Sequence, residues 1–183
     1  MYEVEVKAKL KDRQAVMKKL DAFGCKFSEE LHQVDHIFLP KDTPFPSPFK
    51  TPVLRVRKSN DKYFFTLKIS QSGRQDSLER ELEIMDGKMM MEIINLIGFE
   101  EFIPVDKKRI KTKYKDMVIE LDEVKELGEF IEVEKIVTHT DPEIRKNIQK
   151  ELCEFLETIG VAKEDLLVNA KYDIMLFEKQ NKK

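Results

Sequence analysis

Carboxylates two residues apart, and cations two residues apart, recur along this chain. Glu3 and Glu5 stand in EVEVKAKL (3–10), and Glu132 and Glu134 in FIEVEKIV (130–137). On an extended strand such spacing sets both side chains on one face. Like charges held that close repel, so each pair is suited to grip a hard divalent cation such as Mg²⁺ or Mn²⁺, which prefers oxygen ligands shared with phosphates. The cations follow the same rule: Arg55 with Arg57, Lys68 in YFFTLKIS (63–70), and Lys107 with Arg109 in KKRIKTKY (107–114). A triphosphate carries about four negative charges on oxygens that Arg forks and Lys points match well. Metal-holding carboxylates and phosphate-holding cations together are the apparatus of phosphoryl transfer.

The elements that must position these groups are strands with one charged and one apolar face. In EVEVKAKL, Glu3, Glu5, Lys7 and Lys9 oppose Val4, Val6, Ala8 and Leu10. VLRVRKS (53–59) and YFFTLKIS flank Asn60-Asp61, which is turn chemistry, so the two read as a hairpin. LERELEI (78–84) groups Glu79, Glu81 and Glu83, and MVIELDEV (117–124) groups Glu120 and Asp122. HQVDHIFLP (32–40) adds a strand with Gln33 and Asp35 in phase. Helices lie between: one after an Asp12 cap and stopped by Gly24, one opened by Asp86 or Gly87 and closed by Gly98, one capped by Thr140 and ended by Gly160, and a last over about 163–178. Met89–Met91 read as helix core. Five of the seven prolines fall in 40–52, an irregular loop that reads either as a gate to whatever the strands enclose or as an ordinary surface loop.

About eight such strands on an open sheet would leave their charges in water. A closed barrel instead turns every charged face into one lumen and packs the apolar exteriors under helices. Each motif alone fits a solvated face; the ordered set points to the α+β solution, a closed antiparallel eight-stranded β-barrel with a charged lumen and helices outside. Clustered like charges in that lumen are costly without a ligand.

Composition narrows the classes. The 183 residues are 41% hydrophobic and 37% charged, enough for a core beside a heavily ionised remainder. A net charge of −2 offers no field for nonspecific nucleic-acid binding, and no nucleic-acid partner is expected. No apolar run approaches the roughly 18 residues of a membrane span, and the chain starts at once on a charged strand, so neither a membrane partner nor a signal peptide is expected. Cys25 and Cys153 have no metal-ligand spacing and read as reduced thiols of a cytoplasmic protein. His36 and His139 read as ordinary polar residues.

The ordered set also resembles a family. EVEVK resembles the E-x-E-x-K signature of the CYTH family, the triphosphate tunnel metalloenzymes. The resemblance continues through QVDHIF, LRVRK, FTLK, RELE, KKR, ELDEV, LGEFIEVE and KYDIML. It implies one CYTH domain over 1–178 with a tail at 179–183. It implies metal ligation by Glu3, Glu5, Glu132 and Glu134 with Asp122 near the metals, and phosphate contacts from Lys7, Arg55, Arg57, Lys68, Lys107 and Arg109. Glu81 and Glu83 match the acidic strand, and Glu120 and Lys9 are further tunnel candidates. Two places depart from the pattern: Ile37 stands where the family tends to have Tyr, and Lys171-Tyr172 replaces Ser-Tyr. Both read as substrate-specific or lid regions.

The family contains class IV adenylyl cyclases, thiamine triphosphatases and inorganic triphosphatases. The QVDHIF and LGEFIEVE segments fit the cyclase label best, with ATP giving cyclic AMP and pyrophosphate. A triphosphatase releasing orthophosphate is the alternative, and a non-catalytic nucleotide- or polyphosphate-binding module a third. The expected partner is a nucleoside triphosphate or other triphosphate, and a homodimer is compatible with the chain. In the triphosphatase version Lys68 is the expected catalytic amine, helping to activate water, on the view that a lysine in a crowded basic pocket loses its proton readily.

Overall fold

The alternating segments form strands in the computed structural model, which describes residues 1–138, 141–167 and 171–181. In chain order the elements are β1 (Tyr2–Lys9), α1 (Arg13–Ala22), β2 (Leu31–Pro40), β3 (Pro52–Ser59), β4 (Lys62–Gly73), β5 (Asp76–Ile84), α2 (Gly87–Leu96), β6 (Phe99–Glu101), β7 (Val105–Tyr114), β8 (Met117–Val124), β9 (Gly128–Val137), α3 (Pro142–Thr158), β10 (Leu166–Leu167) and α4 (Tyr172–Asn181). Eight of the strands follow one another as β1-β5-β4-β3-β2-β7-β8-β9, every neighbouring pair antiparallel. β9 then pairs back onto β1 along its whole length, Tyr2 opposite Val137 and Lys9 opposite Phe130. The sheet therefore closes in a ring, as the charged faces required. A ring has no long unpaired edge.

The outward faces are apolar and lie under helices. Val4, Val6 and Ala8 of β1, Ile119 and Leu121 of β8, and Ile131 and Val133 of β9 pack with Val16 and Leu20 of α1 and Leu152, Phe155 and Leu156 of α3. On the far side Ile94 of α2 closes over Phe38, Leu54 and Val56. Burying such side chains contributes roughly 1.5–3 kcal/mol each. α4 closes one end of the lumen: Tyr172 and Leu176 pack with the inward-facing Ile37, Val105, Val124 and Phe130.

The caps follow the sequence in part. Asp12 accepts from Ala15 N at 2.9 Å and Asp86 from Met89 N at 3.0 Å. Gly24, Gly98 and Gly160 follow their helices with φ of +80°, +92° and +93°, which only glycine adopts freely. Thr140 lies outside the described residues; α3 is capped by Asp141, which accepts from Glu143 N at 2.9 Å, with Pro142 next.

The last helix differs from expectation. Lys163–Asp165 form only a 3₁₀ turn, and the helix begins at Tyr172 and runs to Asn181. β5 leaves β1 after Val4, so Lys7 and Ala8 have a free side, and Leu166 and Leu167 fill it as β10. Backbone groups seeking partners on that side override the helical pattern. Met90 and Met91 pack into the core around Ile94, whereas Met89 is turned outward and 52% exposed. In the proline-rich loop, Phe45 stacks on Phe102 at 3.9 Å between ring centroids, and Arg74 donates to Ser47 O at 2.9 Å.

Candidate functional site

The ring's register decides which charges meet. β1 against β9 sets Glu5 opposite Glu134 and Lys7 opposite Glu132, and β8 against β9 sets Glu120 opposite Glu132. Glu120, Glu132 and Glu134 can each offer an oxygen within 4.8 Å of the others'. The Glu134 side chain makes no ion pair or hydrogen bond among the described residues. Burial and then Glu120, Glu3 and Glu132 push its carboxyl up to about 9. Burial and then Glu132 push Glu5 up to about 8. Hard oxygen donors that cannot all ionise without an added cation fit a divalent metal. The residues present therefore suit Mg²⁺ or Mn²⁺.

The opposite walls are cationic, and each cation is held by an acid. Arg57 donates two bonds to Asp35, at 2.5 and 2.8 Å. Arg109 does the same to Asp122, at 2.6 and 2.5 Å, and also reaches Glu132 at 3.3 Å and Glu120. Arg55 lies 3.4 Å from Glu79 and 3.1 Å from Glu81, and Lys7 donates to Glu132 at 2.7 Å. Desolvating an ion costs several kcal/mol, so these pairs are what permit so many charges inside one barrel. Burial alone would raise Asp122 and Glu3, but Arg109 and Lys107 hold Asp122 at about 2, and Lys68 holds Glu3 at about 2. The charges surround a cavity of about 160 Å³.

Of the residues singled out in the sequence, Glu3, Glu5, Lys7, Arg55, Arg57, Lys68, Glu81, Lys107, Arg109, Glu120, Glu132 and Glu134 line this cavity. Asp122 stands directly behind it, fully buried, with both oxygens on Arg109. Glu83 and Lys9 do not reach it. Glu83 is exposed beside Lys62 at 3.1 Å, and Lys9 lines an outer cleft with Lys11 and Lys19. Both have the right phase but lie beyond the ring's rim. Outside it, His36 lies 2.7 Å from Glu101; His139 falls outside the described residues.

Two expectations about roles change. Lys68 lies 2.7 Å from Glu3 and 2.6 Å from Glu79; burial favours its neutral form, but those carboxylates hold it well above the usual lysine range. It keeps its proton. Lys107 loosens instead: burial and then Arg109 push it down to about 8, and burial and then Lys68 lower Lys171 as well. Tyr172 is not in a peripheral lid. Its hydroxyl donates to Asp122 at 3.0 Å, and its ring lies 4.3 Å from Lys7 Nζ and 5.3 Å from Lys107 Nζ. Asp35, Glu79, Lys111, Lys171 and Asp173 also line the cavity and were not among the candidates. Asp35, Glu79 and Lys111 were in phase with chosen neighbours, which was the available signal.

Comparison with known proteins agrees with this geometry. A model of the CYTH domain matches residues 1–170. This chain belongs to the CYTH domain family. A Methanocaldococcus jannaschii protein named "putative adenylate cyclase" is 29% identical over 169 residues, covering 91% of this chain and 94% of its own length. A solved Pyrococcus horikoshii structure is 26% identical with a TM-score of 0.80, covering 97% of this chain and 99% of that one. A Hippeastrum protein, described as an adenylyl cyclase candidate with a dominant triphosphatase activity, shares the CYTH fold at a TM-score of 0.61 and 20% identity, covering 98% and 96%. Among the described residues no helix is long and apolar enough to cross a membrane.

Proposed function

We propose that this CYTH protein is a divalent-cation-dependent enzyme that binds ATP by its triphosphate and acts as a class IV adenylyl cyclase. The observation that carries the reading is one lumen that holds a carboxylate cluster, Glu120, Glu132 and Glu134 with Glu5 beside it, with Lys7 and Arg109 bonded into it, and further cations, Arg55, Arg57, Lys68 and Lys107, on the other strands. The name given to the M. jannaschii relative supports the cyclase label.

The chain's own groups do most of the work. The carboxylate cluster would hold Mg²⁺ or Mn²⁺, which when bound neutralises phosphate oxygens and polarises the phosphorus under attack. Arg55, Arg57 and Arg109 keep their carboxylate partners and offer phosphate oxygens the guanidinium N–H groups those partners leave free. Lys7 and Lys68, which stay charged, fix the chain of phosphates in line. Lys107, close to neutrality, is placed to accept a proton from the attacking hydroxyl or water. Ile37, Val53 and Val105 line the same cavity and give the uncharged part of the substrate an apolar wall.

A second reading, a triphosphatase, is favoured by size. About 160 Å³ is smaller than the roughly 300–1,000 Å³ of pockets that enclose a whole ligand. Such a lumen suits phosphates read without the group they carry. A product assay separates the two. Incubation with ATP, thiamine triphosphate or inorganic triphosphate and Mg²⁺ or Mn²⁺ is followed by anion-exchange separation. Cyclic AMP with pyrophosphate supports the cyclase; orthophosphate with the matching diphosphate replaces it with the triphosphatase. Tight triphosphate binding without any product would sink both and leave a binding module.

A further inference from the structure

Glu5 stands at a break in the ring's pairing. One side of β1 is covered by β9 along its whole length. The other side is covered by β5 as far as Val4, and by β10 at Lys7 and Ala8. Among the described residues no strand pairs with Glu5 and Val6 on that second side. The N–H and C=O of one strand residue point the same way, and those of Glu5 point into the break. Both find partners there, as buried backbone groups must. Gln75, buried just ahead of β5, takes the Glu5 N–H on its backbone oxygen at 2.9 Å. The Gln75 side-chain amide donates across the break to Leu167 O at 2.8 Å. Gln149 of α3 donates from Nε2 to Glu5 O at 3.3 Å.

α3 is itself held in register at this point. Arg145, one helical turn before Gln149, is buried and donates to Asp76 at 2.7 and 3.1 Å. Asp76 also accepts from Ser72 N at 3.3 Å and from the Ser72 hydroxyl. Arg145 therefore anchors α3 on the residue next to Gln75, and Gln149 completes the same patch. Gln149 does not line the lumen, so what it does there it does through the Glu5 backbone.

We propose that Gln149 is a positioning residue of the metal site: by holding the Glu5 carbonyl it fixes the angle at which the Glu5 carboxylate meets Glu120, Glu132 and Glu134. The proposal rests on that cluster binding a divalent cation. Metal ligands must stand within about 0.2 Å of their working distances. Glu120, Glu132 and Glu134 have a paired strand on each side to hold them, and Glu5 does not. Repulsion from Glu132 also presses on the Glu5 carboxylate. A strand tied on one side only would twist to relieve that repulsion, and the bond from Gln149 resists the twist.

Gln149→Leu tests the proposal, because it removes the donor and keeps a helix-forming side chain of similar size. Mn²⁺ is titrated into the full chain and followed by electron paramagnetic resonance. Inorganic triphosphate is titrated separately, without a divalent cation, in a calorimeter. Gln149→Leu should bind Mn²⁺ roughly tenfold more weakly than the wild type, the scale on which a group behind a metal ligand acts. Triphosphate affinity should be unchanged, because the cations of the lumen are untouched; a general loosening of the barrel would move both. Should Gln149→Leu fold poorly, Gln149→Asn supplies the second test. It keeps the amide but is one methylene shorter, and the same split is expected. Equal Mn²⁺ affinity in the wild type and the variants would overturn the positioning role and leave the metal site standing. An equal fall in both affinities would also overturn it. No Mn²⁺ binding by the wild type would remove the metal site, and this proposal with it.

Discussion

Glu134 is an acid and Lys68 a base, and their surroundings treat them in opposite ways, leaving one protonated and neutral and the other protonated and charged. Glu134 has acids around it and is driven up to about 9; Lys68 has acids around it and is held charged. The same crowding thus makes the lumen short of one kind of cation, a small divalent one, while already rich in amines. Phase along a strand told which face each residue takes, and that is why most of the site was legible. It could not tell that Glu3 and Glu79 would bracket Lys68, because that depends on β1, β4 and β5 being neighbours around a ring. Nor could it give depth: Lys9 and Glu83 are in phase yet sit past the rim.

The raised acids make a pH prediction at this scale. A carboxyl whose folded-state pKa lies above its unfolded value near 4.5 favours folding below about 4.5 and loses that contribution as pH rises through the folded value. Glu5, at about 8, and Glu134, at about 9, place the loss between about pH 5 and pH 9, and Lys107, at about 8, begins to lose its own proton toward the upper end. The cation-free protein should therefore melt at lower temperature at pH 8 than at pH 5, by at least a few degrees, since about 1 kcal/mol moves a domain of this size ~2–4 °C. Mg²⁺ or Mn²⁺ should flatten the curve, because metal binding releases those protons. Differential scanning calorimetry with and without the cation would show it; a melting temperature equally flat in both would refute the crowding.

At the level of elements, strands and helix ends were readable because both obey local rules. Alternation gave the eight long strands, and Asp-rich starts with Gly ends gave three helices. β10 was not readable. Two leucines have no period, and they become a strand only because β5 leaves part of β1 unpaired. α4 was misplaced for the same reason, since its true start follows β10. α2 offers a test of close packing: Gly87→Ala would force a methyl into the Tyr63 ring. Overpacking of this kind costs about 1–3 kcal/mol, and part of α2 must lift off β3 and β4 to accept it. Chemical denaturation should show that loss with an unchanged slope. A variant as stable as the wild type would mean that α2 is not seated on that ring.

The molecule as a whole is a ring that holds its charges in balance. Carboxylates and cations interleave around the lumen, and beside the paired Glu120 and Glu132 two acids, Glu5 and Glu134, are pushed up to about 8 and about 9. That crowding, more than any single motif, is the reason to expect a metal there and phosphates beside it. The most direct test is an electron paramagnetic resonance titration of Mn²⁺ into the purified protein and into Glu134→Gln. The wild type should remove free Mn²⁺ from solution at a saturable site, and Glu134→Gln, which keeps the shape but not the charge, should bind at least tenfold more weakly. Equal Mn²⁺ binding by both proteins, or none by the wild type, would contradict the metal site on which the proposed chemistry rests.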